Sequence, residues 1–152
     1  MNVAVLDTDI MVYLFENLYN ADRVNFNRTV EYFREIFSEM WIPEEVKREF
    51  TIRKSLQRRL DKIMVEHGDI ISDCPINTSK HERDIFINDI DTGEADAIVQ
   101  IQKANLMDRH RKRNLIFLSH DKAALRFAED SGFEVFGYRE IKQDLREMGV
   151  VF

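Results

Sequence analysis

Val3-Ala4-Val5-Leu6-Asp7 and Leu115-Ile116-Phe117-Leu118-Ser119-His120-Asp121 decide how this chain folds. Each is a run of four apolar residues that meets a carboxylate within three positions. A strand with one wet face would alternate apolar and polar residues. Short runs that are apolar throughout read instead as strands of a parallel sheet covered on both sides. Helical periodicity fills the intervals. Residues 10–20 read as a largely buried helix, and Phe26, Val30, Phe33 and Phe37 recur on one helix face. Met40-Trp41-Ile42 is the expected second strand. A helix then runs from Pro43 to His67, stopped by Gly68, with Val46, Phe50, Leu56, Leu60 and Ile63 inward. A weak strand at Ile70-Ile71 and a helix over 79–90 follow. Asp91-Thr92-Gly93-Glu94 resembles a capping box for a helix to about Met107. A helix from Asp121 to about Ser131, a strand at Val135-Phe136 and a helix over 139–148 close the pattern. Strands alternating with helices predict an α/β three-layer sandwich with a central, mostly parallel sheet, in one domain over residues 1–152.

A chain of 152 residues buries roughly 70% of its unfolded surface, enough for a core without covalent staples. Its single cysteine, Cys74, rules out an internal disulfide and points to a reducing, cytoplasmic setting. No stretch approaches the ~20 apolar residues of a membrane span, and no basic segment precedes the first apolar run as in a signal peptide. The net charge of −6 argues by itself against a polyanionic partner. Its distribution says more. Residues 1–46 and 63–108 are strongly acidic, whereas residues 47–62 hold seven basic side chains against two acids.

Asp7 and Asp121 fall just beyond the two best strands, the edge at which open parallel sheets bind ligands. A helix N-cap is the ordinary role of an Asp at such a junction, but two at one edge favour a site. Glu49 lies two turns into the helix after Pro43. Asp96 sits among Ala95, Ala97 and Ile98, where a carboxylate needs a partner or a cation. Glu44, Glu45 and Glu94 suit the positive end of a helix dipole.

Taken in order, Val5-Leu6-Asp7-Thr8-Asp9, Ile42-Pro43 with Glu49-Phe50, Gly93-Glu94-Ala95-Asp96-Ala97-Ile98 and Phe117-Leu118-Ser119-His120-Asp121 resemble the PIN-domain family. That family comprises metal-dependent nucleases, among them the toxins of bacterial and archaeal toxin–antitoxin pairs. The resemblance implies an endoribonuclease in which Asp7, Glu49, Asp96 and Asp121 form a catalytic, metal-holding quartet. Phe50 after Glu49 favours it over Glu45 as the second acid. Glu94, Asp9 and Ser119 would be accessory groups. Mg²⁺ or Mn²⁺ is the expected ion, since carboxylates without a His or Cys cluster select hard cations over zinc. The histidines at 67, 81, 110 and 120 lack ligand spacing, and His67 reads as a helix C-terminal residue.

Arg48, Arg53 and Lys54, in the basic block, could carry an RNA backbone; a solvated helix face explains them equally well. No aromatic interleaving suggests base stacking. The expected partners are RNA, a small antitoxin protein or a second copy of the chain. A catalytically inactive RNA-binding or scaffold module is the alternative. Asp7-Thr8-Asp9 after a first strand also suits a haloacid-dehalogenase-type phosphatase, but Ile10-Met11 stands where that chemistry has small and hydroxyl residues.

Overall fold

Both apolar runs are strands with neither face exposed. Val3 and Val5 of β1 (Asn2–Leu6) join one apolar core, while Ala4 and Leu6 join another on the opposite side. In β4 (Asn114–Ser119), Leu115 and Phe117 face the first of these cores, and Ile116 and Leu118 the second. This two-residue alternation between buried layers makes a run apolar throughout. The computed structural model describes residues 1–84, 92–106, 113–147 and 149. With β2 (Glu39–Ile42), β3 (Ile71–Asp73) and β5 (Glu134–Gly137), the strands form one all-parallel sheet in the order β3-β2-β1-β4-β5. The chain steps outward from β1 to β3, then crosses back to place β4 on the other side of β1. The order therefore reverses between β1 and β4, and a crevice opens outside their carboxyl ends.

One face is covered by a continuous helical run: α1 (Thr8–Met11), a π-helical stretch (Val12–Leu18) and α2 (Tyr19–Ala21). The Tyr19 amide bonds the Leu14 carbonyl five residues back, the wider turn of a π-helix. The same face carries α3 (Arg23–Ile36), α4 (Glu44–Phe50), α5 (Lys54–Glu66) and α9 (Tyr138–Glu147). Phe26, Val30, Phe33 and Phe37 are all buried there, as their spacing requires. Tyr19 meets Phe26 edge-on at 4.9 Å between ring centres, a geometry aromatic quadrupoles favour. The other face packs α7 (Thr92–Leu106) and α8 (Lys122–Asp130), with α6 (Lys80–Asp84) against α7. Three layers result, as the alternation of elements predicts. Among the described residues no helix is long and apolar enough to cross a membrane. The expected helix over 79–90 is described as far as Asp84; Asp91 of the capping box, Met107 and the basic residues 109–112 lie outside the described residues.

One expected element is corrected. The single helix from Pro43 to His67 is two, α4 and α5, separated at Thr51–Arg53. Both the amide and the hydroxyl of Thr51 bond the Lys47 carbonyl, and Arg53 is extended (φ −91°, ψ 133°). Thr competes for backbone bonds in this way and favours helix ends. The reason lies in phase. Val46 and Phe50 share a face, as do Leu56, Leu60 and Ile63, but Phe50 and Leu56 would stand ~240° apart on an unbroken helix. The break lets all five be buried.

His67 caps α5 and packs edge-on against Phe26 at 5.7 Å. Burial, reinforced by the Arg34 guanidinium, holds its imidazole below the usual range. Gly68 follows at a close approach: a β-carbon there would lie 2.6 Å from the Met64 carbonyl oxygen. Gly68→Ala is expected to destabilise the chain by about 1–3 kcal/mol, lowering the urea midpoint at unchanged m-value. An unmoved midpoint would mean that the turn relaxes around a methyl group.

Candidate metal centre

β1 ends at Leu6, and Asp7 turns the chain into α1. The Asp7 amide donates to the Leu118 carbonyl of β4 at 3.0 Å, fixing it at the switch point. Its Oδ1 accepts the Thr8 amide as the α1 cap. Oδ2 accepts the hydroxyl of Ser119, the last residue of β4, at 2.5 Å. That hydroxyl oxygen in turn accepts the Asp121 amide at 3.0 Å. Asp7 is thus 1% exposed and held from two strands.

Two further carboxylates reach it. Glu94, in the first turn of α7, is 3% exposed, and Asp9, in the first turn of α1, is exposed to solvent. One oxygen from each of Asp7, Asp9 and Glu94 lies within 4.8 Å of the other two. At ~5 Å and an effective dielectric of 20, each like-charged pair repels by roughly 3 kcal/mol. A bound cation or a shared proton relieves this. The donor set fits a hard divalent ion: Mg–O bonds of ~2.1 Å bring neighbouring ligand oxygens to about 3–4 Å, a small adjustment from the observed spacing.

No protein-family model matches this chain, and no curated protein sequence does. The chemistry of the site is read from its own residues.

The other expected acids lie nearby in different surroundings. Glu49 is half-buried on α4, and its Oε2 accepts the Thr8 hydroxyl at 2.8 Å, which ties it to the residue after Asp7. Glu45 is committed elsewhere, its Oε1 lying 2.6 Å from Arg48 and 3.5 Å from Arg83. Asp121 caps α8, with Oδ1 accepting the amides of Ala123 (2.8 Å) and Ala124 (3.3 Å). Asp96 is fully buried. Its Oδ2 accepts the Glu45 amide at 2.9 Å, and its Oδ1 accepts from the Thr78 hydroxyl and the Gln100 amide. Among the described residues, then, Asp7 is grouped with Asp9 and Glu94, not with Asp96, Asp121 or Glu49.

Helix phase separates Glu94 from Asp96. Two positions on a helix differ by ~200°, so both cannot face Asp7. Glu94 lies in register with Ile98 and Ile101, which are buried in the core below the sheet. Asp96 lies in register with Gln100 and Lys103, which bond Asp96 itself and the carbonyl of Asn77.

The sequence-selected cations are placed differently from a binding track. Arg48 pairs with Glu44 and Glu45, and Arg53 pairs with Glu16. Lys54 is exposed at the start of α5. Cys74 is half-buried against the core that holds Val3, Val5 and Phe117, and burial pushes its thiol up to about 12. It is no nucleophile at neutral pH.

Proposed function

We propose that this chain is a Mg²⁺- or Mn²⁺-dependent endoribonuclease of PIN-like type, acting in the reducing setting its lone cysteine suits. The observation that carries the reading is the convergence of Asp7, Asp9 and Glu94 within 4.8 Å at the switch point of a parallel sheet. Two of the three are buried, where charge without a counter-ion is most unfavourable. These three would hold the ion. When bound, the ion supplies Lewis-acid polarisation of a phosphate and a water of lowered pKa.

The chain's own residues set the geometry. Ser119 fixes the rotamer of Asp7 from behind, as outer-shell donors do for ligating carboxylates. Thr8 orients Glu49 toward the same edge, where it can accept a proton from an attacking water. Water oxygen attacks phosphorus and the bond to the 3′ oxygen breaks. The 3′ oxygen takes a proton, leaving 5′-phosphate and 3′-hydroxyl ends.

The test is cleavage of an end-labelled RNA by purified protein. Cleavage is expected with Mg²⁺ or Mn²⁺ and not in EDTA, with 5′-phosphate products. Cleavage that persists in EDTA, or 2′,3′-cyclic phosphate products, would reject the reading.

A further inference from the structure

A nuclease of this kind must hold its substrate beside the carboxylates, and the basic block at 47–62 is a poor candidate because Arg48 and Arg53 are ion-paired. A different surface has the required charge. A cleft of about 780 Å³ runs between α8, the end of β5 and α9. Its lining carries Lys122, Arg139, Lys142 and Arg146 against the single acid Glu140. In a chain of net charge −6 this is a concentrated positive region. Both α8 and α9 begin at this edge, adding the partial positive charge of their first turns.

The cleft adjoins the acidic site through a short chain of contacts. Gly137, on its floor, is the sheet partner of Ser119. Ser119 is hydrogen-bonded to Asp7. Lys122, on its wall, follows the cap residue Asp121. From the cleft to the convergent carboxylates is therefore two strand spacings across β4, ~10 Å.

We propose that this cleft binds the phosphate backbone of single-stranded RNA and delivers it to the carboxylate site. The inference rests on the nuclease reading for the second half of that statement only; binding stands independently. The volume falls in the ~300–1,000 Å³ range of small-ligand sites. Backbone contacts of this type are sequence-neutral and salt-dependent, each contributing about 0.7 to the slope of log K against log salt for a single strand.

The experiment measures anisotropy of a fluorescent 20-mer oligouridylate in EDTA across a salt series. Lys122→Ala/Arg139→Ala/Arg146→Ala, all at exposed positions, is expected to weaken binding tenfold or more. It should flatten the salt slope by about 2. Arg53→Ala/Lys54→Ala should stay within twofold of wild type. Equal affinities for the triple variant and wild type would overturn the proposal, as would an equal loss in the 53/54 variant. Melting by circular dichroism checks that each variant is folded. If the triple variant loses binding while wild type cleaves no RNA with metal, the cleft stands and the nuclease reading fails. If wild type cleaves and the triple variant cleaves with unchanged KM, the cleft fails and the nuclease reading stands.

Discussion

Asp7→Asn should abolish metal-dependent cleavage, by a factor of about a thousand or more, while leaving the fold at least as stable as before. Asn keeps a side-chain oxygen for the Thr8 amide and is as good an N-cap as Asp, so α1 still starts in place. The Ser119 bond to the side chain can also persist. What is removed is one negative charge from three that crowd within 4.8 Å. Without an ion, that removal relieves repulsion of roughly 3 kcal/mol per pair. The melting temperature in EDTA should therefore hold or rise, and Mn²⁺ should no longer shift it upward. Glu94→Gln should behave the same way. Ser119→Ala should be milder, about ten- to hundredfold in rate, as for other outer-shell partners. Calorimetric titration with Mn²⁺ and single-turnover rates give the readouts. A variant at Asp7 that keeps wild-type rate and Mn²⁺ affinity would remove the candidate centre altogether.

The opposite profile is expected at Asp96. Asp96→Ala removes the acceptor shared by the Glu45 amide, the Thr78 hydroxyl and the Gln100 amide, in a position with no solvent to replace it. Each orphaned buried donor costs about 1–3 kcal/mol, so a loss of about 3–5 kcal/mol is expected after relaxation. At about 2–4 °C per kcal/mol for a chain of this size, the melting temperature should fall by about 10 °C or more. The conservative Asp96→Asn should recover much of that stability and retain Mn²⁺ affinity within about threefold of wild type, an energy difference below 1 kcal/mol. The residue joins α4, α7 and the loop at Thr78. Should Asp96→Asn lose Mn²⁺ binding as completely as Asp7→Asn, then Asp96 is itself a ligand and leaves these partners when the ion arrives.

How far the sequence could be read differs by kind of signal. Strand position and parallel arrangement were legible because Val3–Leu6 and Leu115–Leu118 have no polar face. The place of Asp7 was legible too: a carboxylate directly after a strand buried on both faces lies at the carboxyl edge of the sheet, where it caps α1. The helix break at Thr51–Arg53 was encoded in the six-residue step from Phe50 to Leu56, but one long amphipathic pattern hides such a step unless phase is followed residue by residue. Glu94 and Asp96 illustrate the harder case. Motif resemblance points to Asp96, whereas the rotation of α7 brings Glu94 within 4.8 Å of Asp7 and Asp9. Motif order does not carry that rotation; the tertiary contact of α7 with the sheet sets it. The cleft between α8 and α9 was least legible, because Lys122, Arg139, Lys142 and Arg146 are interspersed with acids along the chain. Only folding gathers them.

The sheet order also governs when activity can exist during synthesis. Asp7 and the Ser119 that fixes it are 112 residues apart. At about 5–20 residues per second, a ribosome needs about 6–20 s to cover that interval. Until then the growing chain holds Asp7 and Asp9 without β4 beside them. Closing so long a loop is also slow in itself. The candidate centre therefore assembles only late in the synthesis of each chain.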